Sequence, residues 1–389
     1  MNIKNEAIKV LHVSQSLGGV LEYLKMTLQR MDPEKYEIIL VLSTSDSNST
    51  IKEYFKKYKI ETKFISFSRK IHLWNDLQTA LKINKIINCF SPDILHVHSS
   101  KAGAITRIVN FSKKIPLIYV PHGWSFKMNT SFLKKKFYIY IEKVLSKRTA
   151  LIIAVSNSEK VDAISYGVCK GDKLMVINNG IDVNRFTSVS KNEQRSKVLN
   201  MYNIPNDALI LGMVGRIDEQ KSPITILKAL PGLLSKYPDM HFLLVGDSMV
   251  DNNTRVNFDH FIKLNNLQSK VTVTGWLEYD SIPEHISTFN IGLLSSRWEA
   301  FGLVLAEYMA LEVPVIASNI SGIWDVCENG KTAILVDNEH EWGNAIEHLL
   351  ENNKFRTSLI RNGKKRVFSH FEISRVINQI EKAYLVVQK

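Results

Sequence analysis

Short apolar runs recur along the chain, separated by stretches in which apolar positions return every three or four residues. In the first half the runs predict strands over Ile8–Ser14, Tyr36–Ser43, Thr62–Phe67, Asp93–Ser99, Pro116–Val120, Leu151–Ser156 and Leu174–Asn178. Ile38-Ile39-Leu40-Val41-Leu42 has no polar alternation, as expected of a parallel strand buried on both faces. Helical periodicity fills the gaps at Val20–Met31, Leu73–Cys89 and Phe132–Lys147. The second half restarts the pattern, with strands over Ala208–Val214, His241–Val245, Val271–Thr274, Ile291–Ser295, Val313–Ser318 and Ala333–Val336. Its helices are predicted over Pro223–Lys236, Asn253–Asn265, Leu303–Leu311, Glu339–Asn352 and Phe355–Phe368, and an amphipathic helix over Ile373–Val387 closes the chain. Such alternation implies βαβ units and parallel sheets, here two Rossmann-like, doubly wound domains. The polar stretch Thr187–Arg195 reads as their connection. Ligands of such domains bind at the carboxyl ends of the strands, so the site is expected in a cleft between the two.

The 389 residues suit two domains, and 45% apolar with 23% charged residues is the balance of a soluble globular protein. No apolar stretch approaches the ~18 residues of a membrane span, and Met1–Val10 lacks a signal-peptide core. Cys89, Cys169 and Cys327 are scattered, which points to a reducing, cytoplasmic setting. Charge alters the picture more. Of the net +12, residues 1–180 hold 28 basic and 14 acidic side chains, and the remainder 22 and 24. The first half is therefore expected to face an anionic partner.

Candidate chemistry lies after the strands. Arg297-Trp298-Glu299-Ala300-Phe301-Gly302-Leu303 runs from a strand into a helix that carries Glu307. Unpaired amides beside a glycine at a helix start make an anion site, and carboxylates there suit neutral sugar hydroxyls. A loop acid plus a solvated helix acid is the plainer alternative. Gly215-Arg216 ends another strand, with Lys221 five residues on; two cations there can hold a leaving diphosphate, or be surface charges. Gly18-Gly19 forms a βα turn without the dinucleotide or Walker fingerprint. His122, in Pro121-His122-Gly123, sits at a strand's carboxyl end, where it is either a ligand contact or structural. No metal-binding pattern is present, and neither a cofactor nor a metal is expected.

In their order and spacing these segments resemble glycosyltransferase family 4, retaining enzymes of the GT-B fold. Gly18-Gly19, Asp93–His98 with Ser99-Ser100-Lys101, Pro121-His122-Gly123, Asn179-Gly180-Ile181-Asp182, Gly215-Arg216…Lys221 and Glu299…Glu307 carry the likeness, and Ser248 departs from it where relatives have glycine. The resemblance implies an N-terminal acceptor domain over 1–182, rejoined by a final helix at 370–389, and a donor domain over 183–369. It implies that Arg216 and Lys221 bind the donor diphosphate beside Gly215, and that Glu307 holds the ribose. Glu299, with the amides of Phe301, Gly302 and Leu303, would hold the donor sugar. Gly18 and Gly19 would line the phosphate side, His122 would contact the transferred sugar, and Lys101 would bind acceptor. The implied substrates are a nucleotide sugar, UDP-linked by family habit, and a glycan or lipid-diphosphate acceptor.

A nucleotide-sugar epimerase on the same fold is the alternative, although the first half shows no acidic catalytic cluster. No nucleic-acid motif accompanies the basic charge, so no nucleic-acid partner is expected. Lysines interleave with aromatics instead, as in Phe132-Leu133-Lys134-Lys135-Lys136-Phe137-Tyr138. That pattern predicts peripheral binding to an anionic membrane, against the plainer reading of a solvated helix face.

Overall fold

The computed structural model describes residues 6–15, 18–45, 47–67, 71–187, 191–248 and 253–388. It divides into two compact units: unit 1 is Met1–Asn179 with Ile373–Lys389, and unit 2 is Gly180–Glu372. The division thus falls in the Asn-Gly-Ile-Asp stretch, ahead of the polar stretch read as a connection. Residues 188–190 of that stretch lie outside the described residues, and helices Val183–Thr187 and Lys191–Met201 flank them within unit 2.

Unit 1 is built on seven strands: β1 (Ile8–Ser14), β2 (Tyr36–Ser43), β3 (Glu61–Ile65), β4 (Ile94–His98), β5 (Leu117–Val120), β6 (Leu151–Ala154) and β7 (Leu174–Val176). Their order is β3-β2-β1-β4-β5-β6-β7, and every pairing is parallel. Val10, Leu11, Val13, Leu40, Val41, Leu95 and Val97 are fully buried, as expected of strands covered on both faces. The strand order reverses between β1 and β4, whose register sets His12 beside His96. The last helix, Ile373–Val387, belongs to this unit and buries Val376, Ile380, Ala383 and Tyr384.

Unit 2 repeats the plan with six strands: β8 (Leu209–Val214), β9 (Met240–Val245), β10 (Val271–Val273), β11 (Ile291–Leu294), β12 (Val315–Ser318) and β13 (Ile334–Val336). The order β10-β9-β8-β11-β12-β13 is again all parallel and reverses between β8 and β11. A reversal leaves a crevice at the carboxyl ends of the two strands, because their following helices pack on opposite faces. The loops after β8 and β11 therefore flank the natural ligand crevice of unit 2, as those after β1 and β4 do in unit 1.

Candidate active site

In unit 2 the loop after β8 holds Gly215, Arg216 and Lys221, and the loop after β11 holds Glu299, Phe301 and Gly302. Several bonds tie the two loops together. The Arg297 amide donates to the Gln220 carbonyl at 2.8 Å, and Gln220 Nε2 donates to the Trp298 carbonyl at 3.0 Å. Ser295 Oγ donates to the carbonyls of Lys221 and Ser222, each at 3.0 Å. Across this seam the Lys221 ammonium forms an ion pair with Glu299, which also accepts from Ser296 Oγ at 2.7 Å. Arg216 stands at the outer side, paired with Asp218 at 2.7 Å and donating to Gln220 Oε1 at 2.7 Å.

The helix Leu303–Ala310 begins beside this pair. Gly302 precedes it at φ +76°, a left-handed conformation that a side chain rarely adopts. Gly322 closes in on the other side: a Cβ there would lie 1.9 Å from the Glu299 carbonyl oxygen. Glu307, one turn into the helix, is buried and accepts from Tyr279 Oη at 2.9 Å. Phe301 is buried with its ring against Phe371, centroids 5.4 Å apart, so its side chain is committed to packing. The structure thus brings Lys221, Glu299, Gly302 and Leu303 together, with Arg216 and Gly215 on the adjoining loop. Chemically this is a fixed cation, a helix start with unspent amides and two carboxylates, an arrangement able to hold an anionic group beside hydroxyls.

In unit 1 the positions read from the sequence sit apart in small groups. Gly18, at φ +70°, and Gly19 open the first helix, and Leu17 of that turn lies outside the described residues. Lys101 forms an ion pair with Asp76 at 2.7 Å and is mostly buried. His122 adopts φ +51°, a conformation that needs support from its surroundings. That support comes from Glu159, which accepts from the Gly123 amide at 2.6 Å and the Val155 amide at 2.8 Å, while Trp124 Nε1 donates to its carbonyl at 3.0 Å.

Sequence reasoning overlooked what stands behind His122. Its Nε2 lies 3.1 Å from His98 Nδ1, and His98 Nε2 lies 3.1 Å from His12 Nδ1. His12 Nε2 is 3.1 Å from Tyr384 Oη, which is 2.8 Å from His96 Nδ1. His12, His96 and His98 are buried, and among the described residues His96 Nε2 has no hydrogen-bond partner. Burial lowers the pKa of His12 and of His122 to about 3, and holds His96 and His98 well below the ordinary histidine value. All four rings are neutral at pH 7. Ring nitrogens of His12, His96 and His98 lie within 4.8 Å of one another, the grouping among the described residues most like a metal set. The signal available in the sequence was His96-x-His98, which puts both rings on one face of β4.

Two family models cover the chain: Glycosyltransferase Family 4 matches residues 17–185 and Glycosyl transferases group 1 matches residues 194–366. A 41.2 kDa protein of the Klebsiella pneumoniae cps region is 30% identical, over 94% of this chain and all of its own length. The Escherichia coli UDP-Gal:alpha-D-GlcNAc-diphosphoundecaprenol alpha-1,3-galactosyltransferase is 24% identical, over 99% of this chain and 98% of its own. Among solved structures, Anabaena HepE in complex with UDP and glucose superposes with a TM-score of 0.84 at 20% identity, covering 97% of this chain and 99% of that one.

Proposed function

Because the chain belongs to glycosyltransferase family 4, in the group that makes surface polysaccharides, we propose that it moves a sugar, with retention, from a UDP-sugar to a lipid-diphosphate-linked acceptor. Unit 2 takes the donor and unit 1 the acceptor. No metal or cofactor takes part. The observation that carries the reading is the Lys221–Glu299 pair at the β8–β11 switch point, beside the start of Leu303–Ala310. Glu299 holds the ammonium in place before any ligand arrives, so a diphosphate meets a cation that needs no rearrangement. Arg216 adds the second positive charge, and the two offset the charge that grows on the diphosphate as it leaves. Glu307, fixed by Tyr279, accepts from ribose hydroxyls, while Glu299 and the amides of Phe301, Gly302 and Leu303 take the sugar and its phosphates. His122 contacts the transferred sugar.

The acceptor reading rests on the surface of unit 1. Helix Phe132–Ser146 exposes Phe132, Leu133, Phe137 and Tyr140 among Lys134, Lys135 and Lys136. Among the described residues no helix is long and apolar enough to cross a membrane; aromatics exposed among lysines suit this helix to an anionic surface. In this reading the enzyme works at the cytoplasmic face of the membrane, where a lipid-linked acceptor presents its diphosphate. The test is calorimetric binding of UDP-, GDP- and ADP-sugars, followed by turnover with a polyprenyl-diphosphate sugar. Preferred binding of a GDP- or ADP-sugar would overturn the donor assignment, and turnover only with a soluble glycan would overturn the acceptor.

A further inference from the structure

The hydrogen-bonded series His122–His98–His12–Tyr384–His96 has a property that follows from counting protons. Each neutral imidazole carries one N–H and one bare nitrogen, and each of the four links needs one proton. Only two arrangements satisfy every link and also use the buried Tyr384 hydroxyl proton, since a hydroxyl that accepted from both rings would leave its own proton stranded among the described residues. In one, His96 Nδ1–H donates to Tyr384 Oη, whose hydroxyl donates to His12 Nε2. His12 Nδ1–H then donates to His98 Nε2, and His98 Nδ1–H to His122 Nε2. All four rings are Nδ1–H. In the other every donor and acceptor is exchanged, and all four rings are Nε2–H.

The buried end decides between them. Among the described residues His96 Nε2 is enclosed and unpartnered, whereas His122 keeps part of its surface, so whichever form its Nδ1 takes can be met by water or ligand. The second arrangement strands an N–H at His96 Nε2, and the first leaves a bare nitrogen there. Stranded N–H groups are the rarer of the two defects in folded proteins. We propose that His96, Tyr384, His12 and His98 are positioning residues that hold His122 in its Nδ1–H form, so that it meets an oxygen lone pair of the substrate as a hydrogen-bond donor and not as a base. The inference rests on the reading of His122 as a sugar-facing residue. It adds that the partner atom must be an acceptor, a hydroxyl or phosphate oxygen.

Tautomers are read directly, without turnover, from two-bond proton–nitrogen correlations of the full-length protein labelled with ¹⁵N-histidine, each signal being assigned from a single-histidine variant. The expected spectrum at pH 7.5 has His12, His96, His98 and His122 all protonated at Nδ1. Any one of the four protonated at Nε2, or averaging between the two forms, overturns the proposal. About one equivalent of zinc in the purified protein would also overturn it, because the nitrogens would then hold an ion in place of protons. His98→Phe keeps a ring of similar shape and removes the link. His122 is then expected to fall below half Nδ1–H, and unchanged Nδ1–H in a folded variant counts against the proposal. Should His98→Phe fail to fold, the wild-type spectrum still decides. Loss of turnover in His122→Ala bears on the contact with sugar and leaves the proton order untouched, so the two readings fail separately.

Discussion

Unit 1 and unit 2 share a doubly wound plan but furnish their switch points in opposite ways. In unit 1 the three histidines on β1 and β4 are neutral imidazoles bonded in series and sealed from water. In unit 2 the groups after β8 and β11 are ions in pairs, Lys221 with Glu299 and Arg216 with Asp218, on loops that keep part of their surface. Placement on the strand explains the choice. A side chain within a central strand loses all its water, so neutrality with full bonding is the inexpensive state, while a loop past the strand end keeps enough solvent to carry charge. Outward, the contrast reverses. Unit 1 has 31 basic against 15 acidic residues, whereas unit 2 has 19 against 23. Charge is thus on the outside of unit 1 and at the working edge of unit 2.

The sharpest way to break the comparison is an exception inside unit 1. Arg107 is fully buried, bonded to Glu142 at 2.8 Å and lying over the Tyr119 ring at 3.9 Å, and Tyr119 Oη donates to Glu142 at 3.0 Å. Glu142→Ala strands the guanidinium and is expected to destabilise by about 3–5 kcal/mol, read from the urea midpoint. A loss under about 1 kcal/mol would mean that the interior of unit 1 tolerates charge after all. In unit 2, Arg216→Ala and Lys221→Ala should each lower kcat by about 10²–10³, roughly 3–4 kcal/mol, with the fold intact by circular dichroism. Near-normal turnover would remove that residue from the leaving-group role.

The surface contrast is tested with vesicles. Lys134→Gln with Lys136→Gln should weaken binding to anionic vesicles by about 2 kcal/mol, roughly 30-fold, and leave neutral vesicles unaffected. Equal partitioning to both vesicle types would end the membrane reading. Acidification gives a graded effect. The four rings of unit 1 face one another and the neutral hydroxyls of Tyr23 and Tyr384. Unfolded, each histidine takes a proton below about pH 6.5; folded, His12 and His122 do so only near 3. Their contribution is therefore complete above pH 6.5 and shrinks as pH falls toward 3, by about 1.4 kcal/mol per unit for each ring. Hydrogen exchange at pH 5 should show unit 1 losing more protection than unit 2, whose shifted histidines are His241 and His285. The smallest effect is the expected null: EDTA leaves turnover unchanged, and rescue by added Mg²⁺ after complete loss would contradict it.

Much of this was legible beforehand, and for physical reasons. β1 and β2 begin and end where their apolar runs do, because strands buried on both faces are dominated by apolar residues between their ends. Helix Asn157–Ser165 was missed: its apolar stripe is reduced to Val161, Ala163 and Ile164. Its start was written nonetheless in Ser156-x-x-Glu159, where Ser156 accepts from the Glu159 amide. The residues of the unit 2 loops were legible because each loop is contiguous in sequence. That Lys221 would pair with Glu299 was not, since 77 residues separate them and only the switch point brings them together. The histidine series was hidden more deeply. Its members come from β1, β4, the loop after β5 and the last helix, and no local pattern links His12 to Tyr384.

The chain enters unit 2 at Gly180 and leaves it at Glu372, and these two passages touch. The Ile181 amide donates to the Phe371 carbonyl at 2.7 Å, and Ile181 bridges Glu372 in parallel. Unit 2 is therefore an insertion whose ends meet, spliced into a host that resumes at Ile373. A polypeptide of residues 180–372 has its termini side by side, the condition under which a module can be excised, transplanted or circularly permuted without stretching its backbone. The counterpart is less forgiving. Tyr384 reaches the histidines of unit 1 only after the whole insertion has been made, so the host cannot complete its polar core during synthesis until residue 384 has emerged.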